Sequence, residues 1–173
     1  MHAHSLNRRA FLGTAAAFAA APAIIPATCL GSAKRPAPSG RVNIGMIGFG
    51  TMAGDNIGNF LFHDKAQLVA VADPVSETGC YGYNADPNRL GGREAGKKRI
   101  DAFYAEKLNK PGYSAARTYV DFREMLDKED LDAVVVSTPD HWHALQAVYA
   151  ANKGKHIYGQ KPMSLCIAEG QAM

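Results

Sequence analysis

The turn Gly48-Phe49-Gly50-Thr51-Met52-Ala53 constrains this chain more than any other stretch. The apolar run Val42 to Ile47 leads into it, and a second apolar run, Leu68 to Ala72, ends on Asp73. The pattern predicts a strand, a glycine turn, a helix and a second strand with a carboxylate at its tip. Gly48 lets the backbone turn sharply off the strand. Gly50 has no side chain to hold a ligand's phosphates away. Ala53, at the third small position, permits close helix–strand packing. The helix then presents unpaired N–H groups and the positive end of its dipole to an anion. Asp73 stands 23 residues beyond Gly50, near the spacing of about 20 residues expected for an acid that accepts from ribose hydroxyls. The glycines alone are a weak signal. With a strand before, a helix after and an acid at the next strand end, they predict a dinucleotide site in a parallel α/β sheet. A carboxylate at position 73 repels a 2′-phosphate, so NAD is expected over NADP.

The first forty residues read as separate from this fold. Asn7-Arg8-Arg9-Ala10-Phe11-Leu12 places paired arginines before an alanine-rich stretch, Gly13 to Ile25. That stretch is interrupted by Gly13 and Pro22 and is too short for a membrane span of about 20 apolar residues. Residues 1–30 therefore read as a twin-arginine export signal, with periplasmic or otherwise exported localisation as the expectation. Residues 31–40 form a Pro/Gly/Ser linker, and residues 41–173 the nucleotide-binding domain. The formal net charge is +3, and Arg8 and Arg9 supply two of those charges. This balance argues neither for nucleic acid nor for a membrane surface as partner. Cys29, Cys80 and Cys166 have no metal-ligand spacing, and no metal site is expected.

After Asp73, Pro74 to Gly92 reads as a long loop, rich in Gly, Asn, Pro and Tyr. Arg93 to Leu108 has helical spacing of Ile100, Phe103, Tyr104 and Leu108, with Lys97-Lys98-Arg99 as a solvated face. Arg117 to Val120 suggests a short strand and Phe122 to Leu126 a helical turn. Ala133 to Val136 reads as a strand buried on both faces. It ends at Ser137-Thr138-Pro139-Asp140-His141-Trp142-His143, with Asp140 as the expected N-cap of the next helix. That places His141, Trp142 and His143 at the carboxyl edge of the sheet, where ligands of such sheets bind. A last strand, His156 to Tyr158, leads to Gly159-Gln160-Lys161-Pro162. A lysine there can donate to a substrate oxygen or accept a substrate proton.

The glycine turn, Asp73, the segment Thr138 to His143 and Lys161-Pro162 together resemble the Gfo/Idh/MocA family of oxidoreductases. The resemblance runs from residue 41 to the end and implies a Rossmann-type, doubly wound parallel sheet. It implies that Gly48, Phe49, Gly50, Thr51, Met52 and Ala53 lie along the dinucleotide phosphates and that Asp73 holds the adenosine ribose. Thr138, Pro139 and His143 would border the nicotinamide. Lys161 would touch cofactor and substrate and act as the catalytic residue, and the bond before Pro162 is a candidate cis peptide. Gln160 replaces the glutamate usual before this lysine, which removes a charge that tunes it. The family's second, α+β domain, with the substrate pocket and the rest of the proton-transfer apparatus, is expected to lie outside these residues.

Three functions follow from the resemblance. The first is the nucleotide-binding part of an NAD-dependent oxidoreductase acting on a sugar or cyclitol hydroxyl. The second is an NAD-dependent glycoside hydrolase of the same fold, working by transient oxidation, elimination and hydration. The third is a cofactor-binding fragment without turnover. The expected partner is a small carbohydrate-like molecule, and a homo-oligomer of the longer protein is left open.

Overall fold

The computed structural model describes residues 36–81 and 90–173. The twin-arginine pattern, Cys29, residues 31–35 of the linker and residues 82–89 of the expected long loop lie outside the described residues. A single 3-10 turn, Pro38–Gly40, precedes the first strand. The chain then alternates strand and helix: β1 (Val42–Ile47), α1 (Thr51–Leu61), β2 (Ala66–Ala72), α2 (Arg93–Lys107), β3 (Arg117–Tyr119), α3 (Phe122–Lys128), β4 (Ala133–Val136), α4 (Asp140–Asn152), β5 (His156–Gly159) and α5 (Ile167–Ala172).

The five strands are parallel in the order β3-β2-β1-β4-β5. The chain steps outward from β1 to β3, crosses back, and resumes beside β1 with β4. The reversal leaves a crevice beyond the carboxyl ends of β1 and β4, the usual ligand position in open α/β sheets.

Both faces of the sheet are covered, which is why the strands read as continuous apolar runs rather than alternating ones. On one face α1 and α2 bury Ala53, Ile57, Leu61, Ile100 and Tyr104 against Ile44, Met46, Leu68 and Val71. On the other, α3 and α4 bury Phe122, Met125, Leu126 and Ala150 against Ile47, Ala70, Val134 and Val136. Each fully buried side chain of this size contributes about 1.5–3 kcal/mol. The edge strand β5 is exposed at all four positions.

The expected elements are present, with two local differences. Asp140 is the first helical residue of α4, and Pro139 is the N-cap. Asp140 Oδ1 accepts from the neighbouring His141 N–H at 2.9 Å. The charged run on α2 holds structure as well as facing solvent. Lys97 Nζ donates to Asp101, Ser114 and the Ala116 carbonyl, Lys98 pairs with Glu77, and Arg99 ties α2 to the Gly54 carbonyl on α1.

Candidate functional site

The glycine turn is built from both neighbouring strands. Gly48 has φ +81°, and a Cβ there would lie 2.6 Å from Thr138 Cγ2. Its N–H donates to Ala72 O at the end of β2, while Ser137 N–H donates to Ile47 O. The turn is thereby pinned at the point where the strand order reverses. Gly50 is the N-cap of α1, no side chain caps the helix, and its first turn holds no acidic residue. The first hydrogen bond closing the helix runs from Gly54 N–H to Gly50 O at 2.9 Å. The amides of Thr51, Met52 and Ala53 therefore have no acceptor within the helix. A helix end with no cap and no carboxylate suits an anion such as a pyrophosphate.

The other turn residues divide by their surroundings. Ala53 is fully buried against the sheet, and Met52 is exposed. Phe49, expected along the phosphates, lies in the turn with its side chain directed into the core on the α1 and α2 face. Its N–H donates to Asp73 Oδ2 at 2.9 Å, and its carbonyl accepts from Gly92 N–H at 2.7 Å. An aromatic ring gains more from burial than from standing in water beside phosphates.

Asp73 is 3% exposed. Besides Phe49 N–H on Oδ2, its Oδ1 accepts from Val75 N–H at 2.9 Å and from the Tyr81 hydroxyl at 2.7 Å. Its own N–H donates to Tyr119 O, and its carbonyl accepts from Arg93 Nη1. The carboxylate that sequence spacing assigns to a ribose is thus also the knot that ties the glycine turn to the end of β2. Tyr81 and Arg93 were not singled out by sequence. The available signal was slight: a tyrosine in a glycine-rich loop eight positions beyond Asp73. Burial, followed by the hydrogen bond and charge of Asp73, pushes the Tyr81 phenol above the ordinary tyrosine range.

At the other side of the crevice, the Thr138 hydroxyl donates to Gln146 Oε1 at 2.6 Å. Its methyl group faces Gly48. Thr138 and Pro139 thus shape the crevice, with the threonine hydroxyl already engaged. His141 and Trp142 are exposed, whereas His143 is 2% exposed. His143 Nε2 and Ser137 Oγ are buried polar atoms without a hydrogen-bond partner among the described residues. Gln160 N–H donates to Val136 O, extending the β4–β5 ladder to the residue before Lys161. Lys161 is exposed, and its bond to Pro162 is cis. A cleft of about 580 Å³ brings His143, Gln160 and Lys161 together with Val136, Ile157 and Gly159. The glycine turn and Asp73 do not line that cleft. Among the described residues, no group of three or more His, Cys, Asp or Glu is placed to hold a metal.

Comparison with known proteins gives three kinds of likeness. Residues 94–173 match a family model described as an oxidoreductase family with an NAD-binding Rossmann fold. A glycosyl hydrolase family 109 protein of Solibacter usitatus is 31% identical over 135 residues, covering 76% of this chain and 26% of that protein. An alpha-N-acetylgalactosaminidase of Shewanella oneidensis is 26% identical, covering 96% of this chain and 36% of its own length. Among solved structures, scyllo-inositol dehydrogenase from Lactobacillus casei with bound NAD(H) and scyllo-inositol aligns with a TM-score of 0.51 and 22% identity. That alignment covers 76% of this chain and 31% of the dehydrogenase. The chain spans about a quarter to a third of the length of these relatives.

Proposed function

Because the chain belongs to the Gfo/Idh/MocA family of oxidoreductases, we propose that it is the NAD-binding part of an enzyme that oxidises a sugar or cyclitol hydroxyl. The observation that carries this reading is the pairing of an uncapped, acid-free helix N-terminus on α1 with a carboxylate at the tip of β2. Gly48, Gly50 and the amides of Thr51, Met52 and Ala53 would hold the pyrophosphate, and Asp73 the adenosine ribose. Bound NAD supplies a two-electron hydride acceptor. Lys161 then has the task of taking the proton from the substrate hydroxyl as its carbinol carbon loses hydride. Its Nζ, which accepts that proton in the neutral amine form, has no hydrogen bond or ion pair with the described residues, so no bond within the fold has to break first. His143 Nε2 and Ser137 Oγ, near this strand end, are buried polar atoms with no hydrogen-bond partner among the described residues.

A second reading is supported by the relatives named as glycosyl hydrolase family 109 and alpha-N-acetylgalactosaminidase. Glycoside cleavage by transient oxidation would use the same Lys161 and the same cofactor groups, with no net redox change. The paired arginines Arg8-Arg9 before an alanine-rich stretch support export to the periplasm, and an exported enzyme is best served by a cofactor that stays bound.

Calorimetric titration of the chain with NAD tests the cofactor assignment. Saturable binding is expected, and its absence in a folded sample overturns it. Assays of NADH formation from free sugars and cyclitols, beside release of the leaving group from glycosides, separate the two reactions.

A further inference from the structure

Tyr81 touches three parts of the candidate cofactor site at once. Its hydroxyl donates to Asp73 Oδ1 at 2.7 Å. Its carbonyl accepts from the hydroxyl of Thr51, the first residue of α1, at 3.0 Å. Its ring lies over Gly50, where an added Cβ would stand 3.7 Å away, and over Gly91, where an added Cβ would come within 2.4 Å. This placement is built into the fold. Thr78 and Gly91 exchange backbone hydrogen bonds, Arg93 and Glu94 N–H groups hold the carbonyls of Val75 and Ser76, and Thr78 Oγ1 accepts from Cys80 N–H. The segment after β2 is thus a hook that delivers Tyr81 onto Asp73.

Counting lone pairs shows what this does. A carboxylate offers about four acceptor positions. Phe49 N–H, Val75 N–H and the Tyr81 hydroxyl take three of them. A ribose diol that donates both hydroxyls needs two, so one protein donor must leave. Two of the donors are backbone amides fixed in turns. The third is a phenol on two side-chain torsions, bonded through its hydroxyl to a carboxylate that is only 3% exposed.

We propose that Tyr81 is an affinity-determining residue of the cofactor site, a built-in competitor whose hydroxyl occupies Asp73 and is displaced by the adenosine ribose. The proposal rests on the NAD reading above. Release of Tyr81 also uncovers the Gly50 turn, so the adenosine and pyrophosphate ends open together. The exchange is of hydrogen bonds only, and no covalent bond changes.

The test is calorimetric titration of the chain and its Tyr81→Phe variant with NAD, ADP-ribose and nicotinamide mononucleotide. Loss of the competing hydroxyl should tighten NAD and ADP-ribose by about tenfold or more, as expected for a hydrogen bond to a charged group. Nicotinamide mononucleotide, which lacks adenosine, should bind both proteins alike. Tyr81→Leu, which keeps an apolar cover, should show the same gain and serves if the phenylalanine variant does not fold. If the wild type binds NAD and the folded variants bind it equally or more weakly, Tyr81 is no competitor and the cofactor reading survives. If neither wild type nor variants bind NAD, the cofactor reading fails and takes this proposal with it.

Discussion

The two ends of the crevice treat their polar groups in opposite ways. At the β1–β2 end, the Asp73 carboxylate is held by three donors, and the residues around it are shared with the core. At the β4–β5 end, His143 Nε2 and Ser137 Oγ lack partners among the described residues and Lys161 stands exposed. The difference teaches which residues have two duties. A buried carboxylate with three donors stabilises the turn it helps to form, so losing it disturbs fold and ligand together. An exposed lysine carries no packing, so its loss is felt only by chemistry.

Four substitutions break or sharpen that contrast. The largest effect on stability is expected from Asp73→Ala, which strands the Phe49 and Val75 amides and the Tyr81 hydroxyl. A loss of about 3–5 kcal/mol follows from removing the acceptor of a buried charged network, read from the urea unfolding midpoint. A change under 1 kcal/mol would show that Asp73 is not a structural knot. Weak NAD binding by this variant is informative only where the sample is shown to be folded.

Gly48→Ala comes next. It forces a Cβ into a positive-φ position and into Thr138 Cγ2, at a cost of about 2–4 kcal/mol from backbone strain and overpacking. Thermal unfolding of the double variant with Thr138→Ser, which removes the opposing methyl, should recover part of this loss. No recovery would mean that strain alone is at work.

A smaller effect, about 1–3 kcal/mol, is expected from Asp101→Asn, away from both ends of the crevice. Burial would raise the Asp101 pKa, but bonds from Lys97, the Ala116 and Ala115 amides and Ser114 outweigh it and hold the pKa below its ordinary 3.8. A carboxylate with a lowered folded pKa stabilises the fold above its unfolded value. That contribution is lost as pH falls below about 3.8 and through the folded pKa. Unfolding curves taken down this range should lose stability less steeply in the variant than in the wild type. At the alkaline limit Tyr119 acts in the reverse sense. Burial and its hydrogen bond to Glu129 push its phenol up to about 12, so its contribution is present below pH 10 and lost as pH rises toward 12.

The smallest effect on stability is expected from Lys161→Ala, within about 0.5 kcal/mol. Turnover of whichever substrate is identified should fall by at least about a hundredfold, the usual worth of a positioned acid or base. A Lys161→Ala protein that is markedly destabilised would erase the contrast between the two ends.

Much of the fold was legible because it is written in contiguous residues. The apolar runs of β1, β2 and β4, the turn between β1 and α1, and the acid at the tip of β2 each follow from local periodicity and turn chemistry. The helix expected over Arg93 to Leu108 is observed as Arg93–Lys107. The expected cis bond before Pro162 is observed as well. The helix start at Asp140 was misread by one position because Asp is a good N-cap. Pro139, with its extended backbone, takes that place.

What sequence determined by itself is the order of elements and the presence of a glycine turn facing a carboxylate. The tertiary structure alone decided how their polar groups are shared. Phe49 turns its ring into the core, Thr138 donates to Gln146, and Tyr81 reaches Asp73. Periodicity and turn residues act over a few neighbours, so one sequence records them. A hydrogen-bond partner is chosen among groups brought together at separate strand ends. A carboxylate with more than one donor in reach goes to those that the packed backbone holds in place.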